Sequence, residues 1–189
     1  MRFCLLLTLL FAACSPAPPS SEQDRPRDGS DSYFSLYAFI RDQWALHSGQ
    51  PYTLVRILTL NGVRDSSIIQ ALNTDWAAIA NPFFEADISA LKYLDRYTFS
   101  EFDESTTGSH VYSYDAKEDG LPTRTLLVST DPFNNRVRNI YTERRVDGFW
   151  SGREQKLYYE PGRYISIQEW SRSRLGPDKT MHAEYRFLR

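Results

Sequence analysis

From residue 33 onward the chain repeats apolar side chains at three- and four-residue intervals. Tyr33, Leu36, Tyr37, Ile40, Trp44 and His47 fall on one helical face. Asp31 or Ser32 stands where a cap is needed, and Gly49 with Pro51 ends the run, so the spacing predicts a helix over 33–47. Two β-prone runs follow, 52–60 and 63–69, divided by Asn61-Gly62. Both central positions of a type I′ turn need positive φ, which Asn and Gly tolerate best, and a hairpin is expected. Next comes a second helical pattern capped by Asn73 or Thr74, with Trp76, Ile79, Ala80, Phe83 and Phe84 as its apolar face. Pro82 is expected to kink or restart it, with Ile88 and Leu91 continuing the face.

From residue 94 the texture becomes short β-prone runs: 94–102, 109–115, 123–130, 136–145, 153–160, 163–173 and 179–188. Turn compositions divide them, among them Glu118-Asp119-Gly120, Asp147-Gly148, Pro161-Gly162 and Gly176-Pro177-Asp178. Strands so regularly spaced, with no long helix between them, predict an antiparallel meander. Ile165 and Ile167 alternate with Tyr164, Ser166, Gln168 and Trp170. Met181, Ala183, Tyr185 and Phe187 alternate with His182, Glu184, Arg186 and Leu188. One face is therefore apolar, and only the two predicted helices are available to cover it. The expected fold class is α+β: a large twisted antiparallel sheet, half-barrel-like, with two N-terminal helices packed on one face.

The first residues have a different character. Arg2 gives a short positive start, residues 5–11 an apolar core, and Ala12-Ala13 a small pair before Cys14, the layout of a secretory signal cleaved ahead of cysteine. Residues 15–31, rich in Pro, Ser and charge, cannot bury apolar surface and suit a tether. The expected organisation is a signal over 1–13, a lipidated Cys14 with its tether over 14–31, and one domain over 32–189. Only Cys4 and Cys14 are present, so the domain has no thiol for a disulfide, a metal or a nucleophile. The net charge of −2 argues against nucleic acid as a partner.

Candidate chemistry is sparse. His47, His110 and His182 lie in different predicted elements and form no metal-binding pair, while GxSxG and phosphate-loop motifs are absent. Asp75, Glu85 and Asp87 invite a paired-carboxylate reading; a solvated side and helix N-termini account for them more simply. The run from Asp115 to Gly120 resembles a truncated calcium loop but lacks the later ligands, which leaves a hairpin turn. In the C-terminal half, Arg136, Arg138, Arg144, Arg145, Arg153, Lys156, Arg163, Arg172 and Arg174 interleave with aromatics and with Glu143, Glu154, Glu160 and Glu169. That composition suits a solvated face of ion and cation–π pairs, or a surface for an anionic partner. Phe149 and Trp150, between Gly148 and Gly152, are the candidate contact with a protein partner.

Phe11-Ala12-Ala13-Cys14 resembles the lipobox of bacterial lipoproteins, with Phe11 where Leu is commonest. The resemblance implies acylation of Cys14, and Ser15 after it implies outer-membrane delivery by the enterobacterial sorting rule. Leu60-Asn61-Gly62, Asp75-Trp76 and Glu85-Ala86-Asp87-Ile88 resemble segments of small lipoproteins of Bacteroidota-type bacteria. The architecture also looks like lipoprotein carriers of the LolA/LolB kind, in which a half-open barrel with a helical lid holds acyl chains. The expected role is a non-enzymatic, lipid-anchored envelope module that binds a protein partner or supports an envelope assembly, with no cofactor. The alternative is a carrier of a hydrophobic ligand, in a cavity lined by Trp44, Trp76, Phe83 and Phe84.

Overall fold

The computed structural model describes residues 32–47 and 49–188; Cys14, the signal-like segment and the tether lie outside them. Helix α1 (Leu36–His47) precedes the hairpin β1 (Thr53–Leu60) and β2 (Val63–Gln70). Helix α2 (Trp76–Glu85) then leads to β3 (Tyr97–Glu104), β4 (Ser109–Ala116) and β5 (Thr123–Thr130). The chain ends in β6 (Val137–Asp147), β7 (Ser151–Glu160), β8 (Tyr164–Ser173) and β9 (Lys179–Leu188). All nine strands form one open antiparallel sheet in the order β2-β1-β9-β8-β7-β6-β5-β4-β3. The meander from β3 to β9 is thus extended by β1, which pairs with β9, Leu54 opposite Phe187 and Leu58 opposite Ala183.

Local chemistry explains where the helices differ from their sequence pattern. The first is shorter than expected because Ser35 is its cap: Ser35 Oγ accepts from Ala38 N at 3.1 Å. Phe34, just before the cap, packs on Phe39 with ring centroids 5.7 Å apart, a hydrophobic staple that fixes the entry of the chain. Tyr33, read as helical, is instead a buried lead-in residue. The second helix is capped by Asp75, whose Oδ1 accepts from Ala78 N at 3.1 Å, rather than by Asn73 or Thr74. It runs through Pro82 without a restart and ends at Glu85. The apolar face does not continue: Ile88 is buried outside any helix, and Leu91, in a single tight turn over Leu91–Tyr93, is exposed.

The strands follow the alternation more closely. Asn61 and Gly62 have φ of 47° and 84°, as the hairpin turn demands. Asn61 Oδ1 also accepts from Thr180 N at 2.9 Å, tying this turn to β9. Strand β3 starts three residues later than the sequence pattern suggests, because Asp95 takes a positive φ of 62° in a turn. Register sets Ile165 opposite Tyr185, Ile167 opposite Ala183 and Leu157 opposite Ile167, so the apolar alternation is continuous across β7, β8 and β9.

The core joins these residues to Tyr114, Leu126, Val128, Ile140 and Tyr159, to Leu36, Phe39 and Ile40 of α1, and to Ile79, Ala80 and Phe83 of α2. Tyr159 is its hub, meeting Phe39 at 6.2 Å and Phe83 at 6.0 Å edge to face. Burial pushes the phenols of Tyr97 and Tyr159 well above the ordinary tyrosine range, so both are neutral at any physiological pH, and Tyr97 Oη donates to Thr123 O at 2.9 Å.

Candidate binding cleft and side-chain clusters

The β2–β1–β9–β8 end of the sheet is less completely filled. There α2 and the strands border a solvent-open cleft of about 630 Å³. Its apolar wall includes Leu58, Ile79, Pro82, Ile167, Met181 and Ala183, and its polar border includes Arg56, Asp75, Glu169 and Tyr185. The alternation of β1 sends Leu54, Arg56 and Leu58 to the same side, so Arg56 stands among apolar neighbours, opposite Ser67 on β2 and Tyr185 on β9. Arg56 Nε and Ser67 Oγ are both buried and have no hydrogen-bond partner among the described residues. Burial raises the Tyr185 hydroxyl above its ordinary range, and the charge of Arg56 partly opposes that shift.

A polar chain crosses the same side of the sheet beside the cleft. Arg144 Nη1 lies 2.7 Å from Glu85 Oε2 and donates to Gln155 Oε1 at 3.0 Å; Gln155 Nε2 donates to Glu169 Oε2 at 2.8 Å. Ser171 Oγ and Arg153 Nε, at 2.9 and 3.6 Å, complete the surroundings of Glu169. Glu85 is therefore a tie between α2 and β6, not half of a carboxylate pair. Asp75 is a helix cap, and Asp87 accepts from Tyr37 N at 3.2 Å and Ser89 Oγ at 2.6 Å.

The four aromatics expected to line a cavity pack against one another and their neighbours. Trp44 and Trp76 meet edge to face at 4.3 Å, Trp76 stacks on Phe187 at 6.1 Å, and the gap they share with Tyr159 and Ile165 is about 10 Å³. Phe83 lies in the core, and Phe84 packs on Tyr37 at 4.7 Å. The larger space is the cleft beside α2, with Ile79 and Pro82 on its wall.

Phe149 and Trp150 form the β6–β7 tip, 70% and 60% exposed, with their rings 4.8 Å apart. The β8–β9 turn lies beside them: Arg174 N donates to Trp150 O at 3.0 Å, its guanidinium covers Phe149 at 4.8 Å, and Leu175 is 86% exposed. Most other C-terminal cations are engaged: Arg138 with Asp131, Arg145 with Asp147, Lys156 with Glu143, Arg163 with Glu160. The acids of the calcium-like turn are held likewise, Glu118 by Arg96 and Asp119 by Arg124.

One arrangement escaped the sequence reading. On the opposite sheet face Ser166 Oγ lies 3.0 Å from His182 Nε2, whose Nδ1 is 3.9 Å from Glu184 Oε1. The signal was the register, Ser166 opposite Glu184 and Gln168 opposite His182. The second contact is too long for a hydrogen bond, and Glu184 already accepts from Tyr164 and Arg186. Ser166 is buried within the ladder, which leaves no pair of backbone N–H groups for an oxyanion. His110 Nδ1 lies 2.7 Å from Asp103 Oδ1 and its Nε2 lies 3.5 Å from Glu101 Oε2. The hydrogen bond with Asp103 raises its pKa above the ordinary value, burial opposes this, and Glu101 reinforces it.

Among the described residues no three or more His, Cys, Asp or Glu side chains are grouped to hold a metal ion, and no helix is long and apolar enough to cross a membrane. The side chain of His47 and the whole of Cys14 lie outside the described residues. No family model, curated protein or solved structure matches the chain.

Proposed function

We propose that the chain is a membrane-anchored envelope lipoprotein whose domain is a non-enzymatic binding module, taking a hydrophobic ligand into the cleft beside α2. In this reading the open sheet is a half-barrel, both helices cover one face, and lipid on Cys14 holds the domain at the outer membrane. The cleft carries the proposal. Its volume of about 630 Å³ lies within the range of about 300–1,000 Å³ usual for small-molecule pockets, and it combines an apolar wall with a few polar groups. The parallel with carriers of the LolA/LolB kind is one of architecture.

Ala78 is an exposed cleft-border residue on α2, so Ala78→Trp fills the space without disturbing the core. Native mass spectrometry of protein released from membranes should find a bound small molecule on the wild type and none on Ala78→Trp. A wild type at its apo mass would count against the reading. Incorporation of labelled palmitate, lost in Cys14→Ser, tests the anchor; an unlabelled wild type would refute it.

A second reading rests on the adjacent β6–β7 and β8–β9 tips, where Phe149, Trp150 and Leu175 are exposed beside Arg174. Exposed aromatics and arginine are the residue types that anchor protein interfaces, which suits an envelope-protein partner. Replacing Phe149 and Trp150 together by alanine should abolish in-cell cross-links while leaving the thermal midpoint unchanged. Cross-links that survive the double substitution would exclude these rings as the contact.

A further inference from the structure

The cleft contains a cation, Arg56, that no described residue answers. Arg56 sits in the middle of β1 with strands on both sides, on the same side as Leu54 and Leu58. Among the described residues it takes part in no ion pair, and its buried Nε has no acceptor. The three arginines that project to this side from β6 and β7 are matched, Arg138 by Asp131, Arg144 by Glu85 and Arg153 by Glu169. The carboxylates that border the cleft are committed elsewhere: Glu169 to Gln155, Ser171 and Arg153, and Asp75 to the α2 backbone. Asp65, on β2 opposite Leu58, shares this side of the sheet and makes no ion pair with Arg56.

Ser67 Oγ, directly across the ladder from Arg56, is a second buried polar group without a partner among the described residues. Two neighbouring orphans of this kind are costly unless something accepts from them. A guanidinium presents a planar fork of N–H donors that fits a carboxylate or phosphate, and the fit strengthens where water is scarce. The apolar wall of Leu58, Ile79, Pro82, Ile167, Met181 and Ala183 lies beside that fork.

We propose that Arg56, assisted by Ser67, receives the anionic headgroup of a single-chain amphiphile whose tail lies along the α2 wall of the cleft. This rests on the cleft being the binding place, and it adds the chemical class of the ligand. The headgroup is a carboxylate or a phosphate monoester, since either satisfies the same donors.

The test is calorimetric titration of the full chain, carrying Cys14→Ser to keep it free of attached lipid, with decanoate, decyl phosphate and decanol. Wild type should bind at least one of the two anions at least tenfold more tightly than decanol, and the tighter anion names the headgroup. Arg56→Gln should weaken the anion at least tenfold and leave decanol unchanged. Ser67→Ala should weaken the anion several-fold and provides the check if Arg56→Gln does not fold. Anion binding undiminished by both substitutions overturns the headgroup assignment while the cleft reading stands. Failure of all three probes to bind wild type overturns both.

Discussion

Arg144→Met offers the sharpest test of how α2 is tied to the sheet. Arg144 is 13% exposed and bridges Glu85, 39% exposed, to Gln155, only 2% exposed. Losing the ion pair costs little, about 0.2–1 kcal/mol, because Glu85 is well solvated. Losing the charged donor to Gln155 costs more, about 1.5–3 kcal/mol, because the amide oxygen is then buried without a partner. Against this, Arg144 Nε already lacks an acceptor among the described residues, and removing it returns about 1 kcal/mol. The net loss is about 2 kcal/mol, a fall in thermal midpoint of roughly 4–8 °C for a domain of this size. Glu85→Gln removes only the exposed partner and should cost about 0.5 kcal/mol. Urea denaturation of both variants gives the comparison. Equal losses would show that the exposed ion pair, not the buried amide, is what Arg144 supports, and the reasoning would fail.

Three further outcomes follow from the same geometry. Gly62→Ala should cost about 1–2 kcal/mol in thermal unfolding, since φ is 84° while the added Cβ meets open space; a neutral result would remove the turn argument. His110 has a raised pKa, so its charged pairing with Asp103 contributes fully below about pH 6.5 and is lost as pH rises through the folded pKa. His110→Gln should therefore be less stable than wild type at about pH 5.5 and equal to it at about pH 9; a pH-independent difference would rule this out. Ser166 should not react with a fluorophosphonate probe, because His182 lacks a hydrogen-bonded acid and the serine is buried; stoichiometric labelling lost in Ser166→Ala would reveal a hydrolytic site.

How far the chain could be read without coordinates depended on whether the controlling contacts were local. Asn61-Gly62 needs only its own backbone preferences, and β5 and β9 are bounded by turns next to them in sequence. The helix caps were misplaced because several candidate caps stood in a row, and only packing of Phe34 on Phe39 selects Ser35 over Ser32. Pro82 was expected to kink or restart α2; the helix runs on through it without a restart for three more residues, to the end that carries the Glu85–Arg144 contact. Pairing of β1 with β9 joins residues over a hundred positions apart and left no local trace, so the end of the sheet that borders the cleft was illegible. Arg56 carried one usable signal, an arginine at the same parity as Leu54 and Leu58 in a β-prone run. The large aromatics drew attention instead, and they fill space rather than enclose it.

Whether the cleft holds an amphiphile is reported most directly by a halogenated probe. Crystals of the Cys14→Ser chain soaked with 10-bromodecanoate should give an anomalous bromine peak against the α2 wall near Ile79 and Ile167, with the carboxylate at Arg56. Bromine bound only outside the cleft, or an empty cleft at saturating probe, would contradict the central claim.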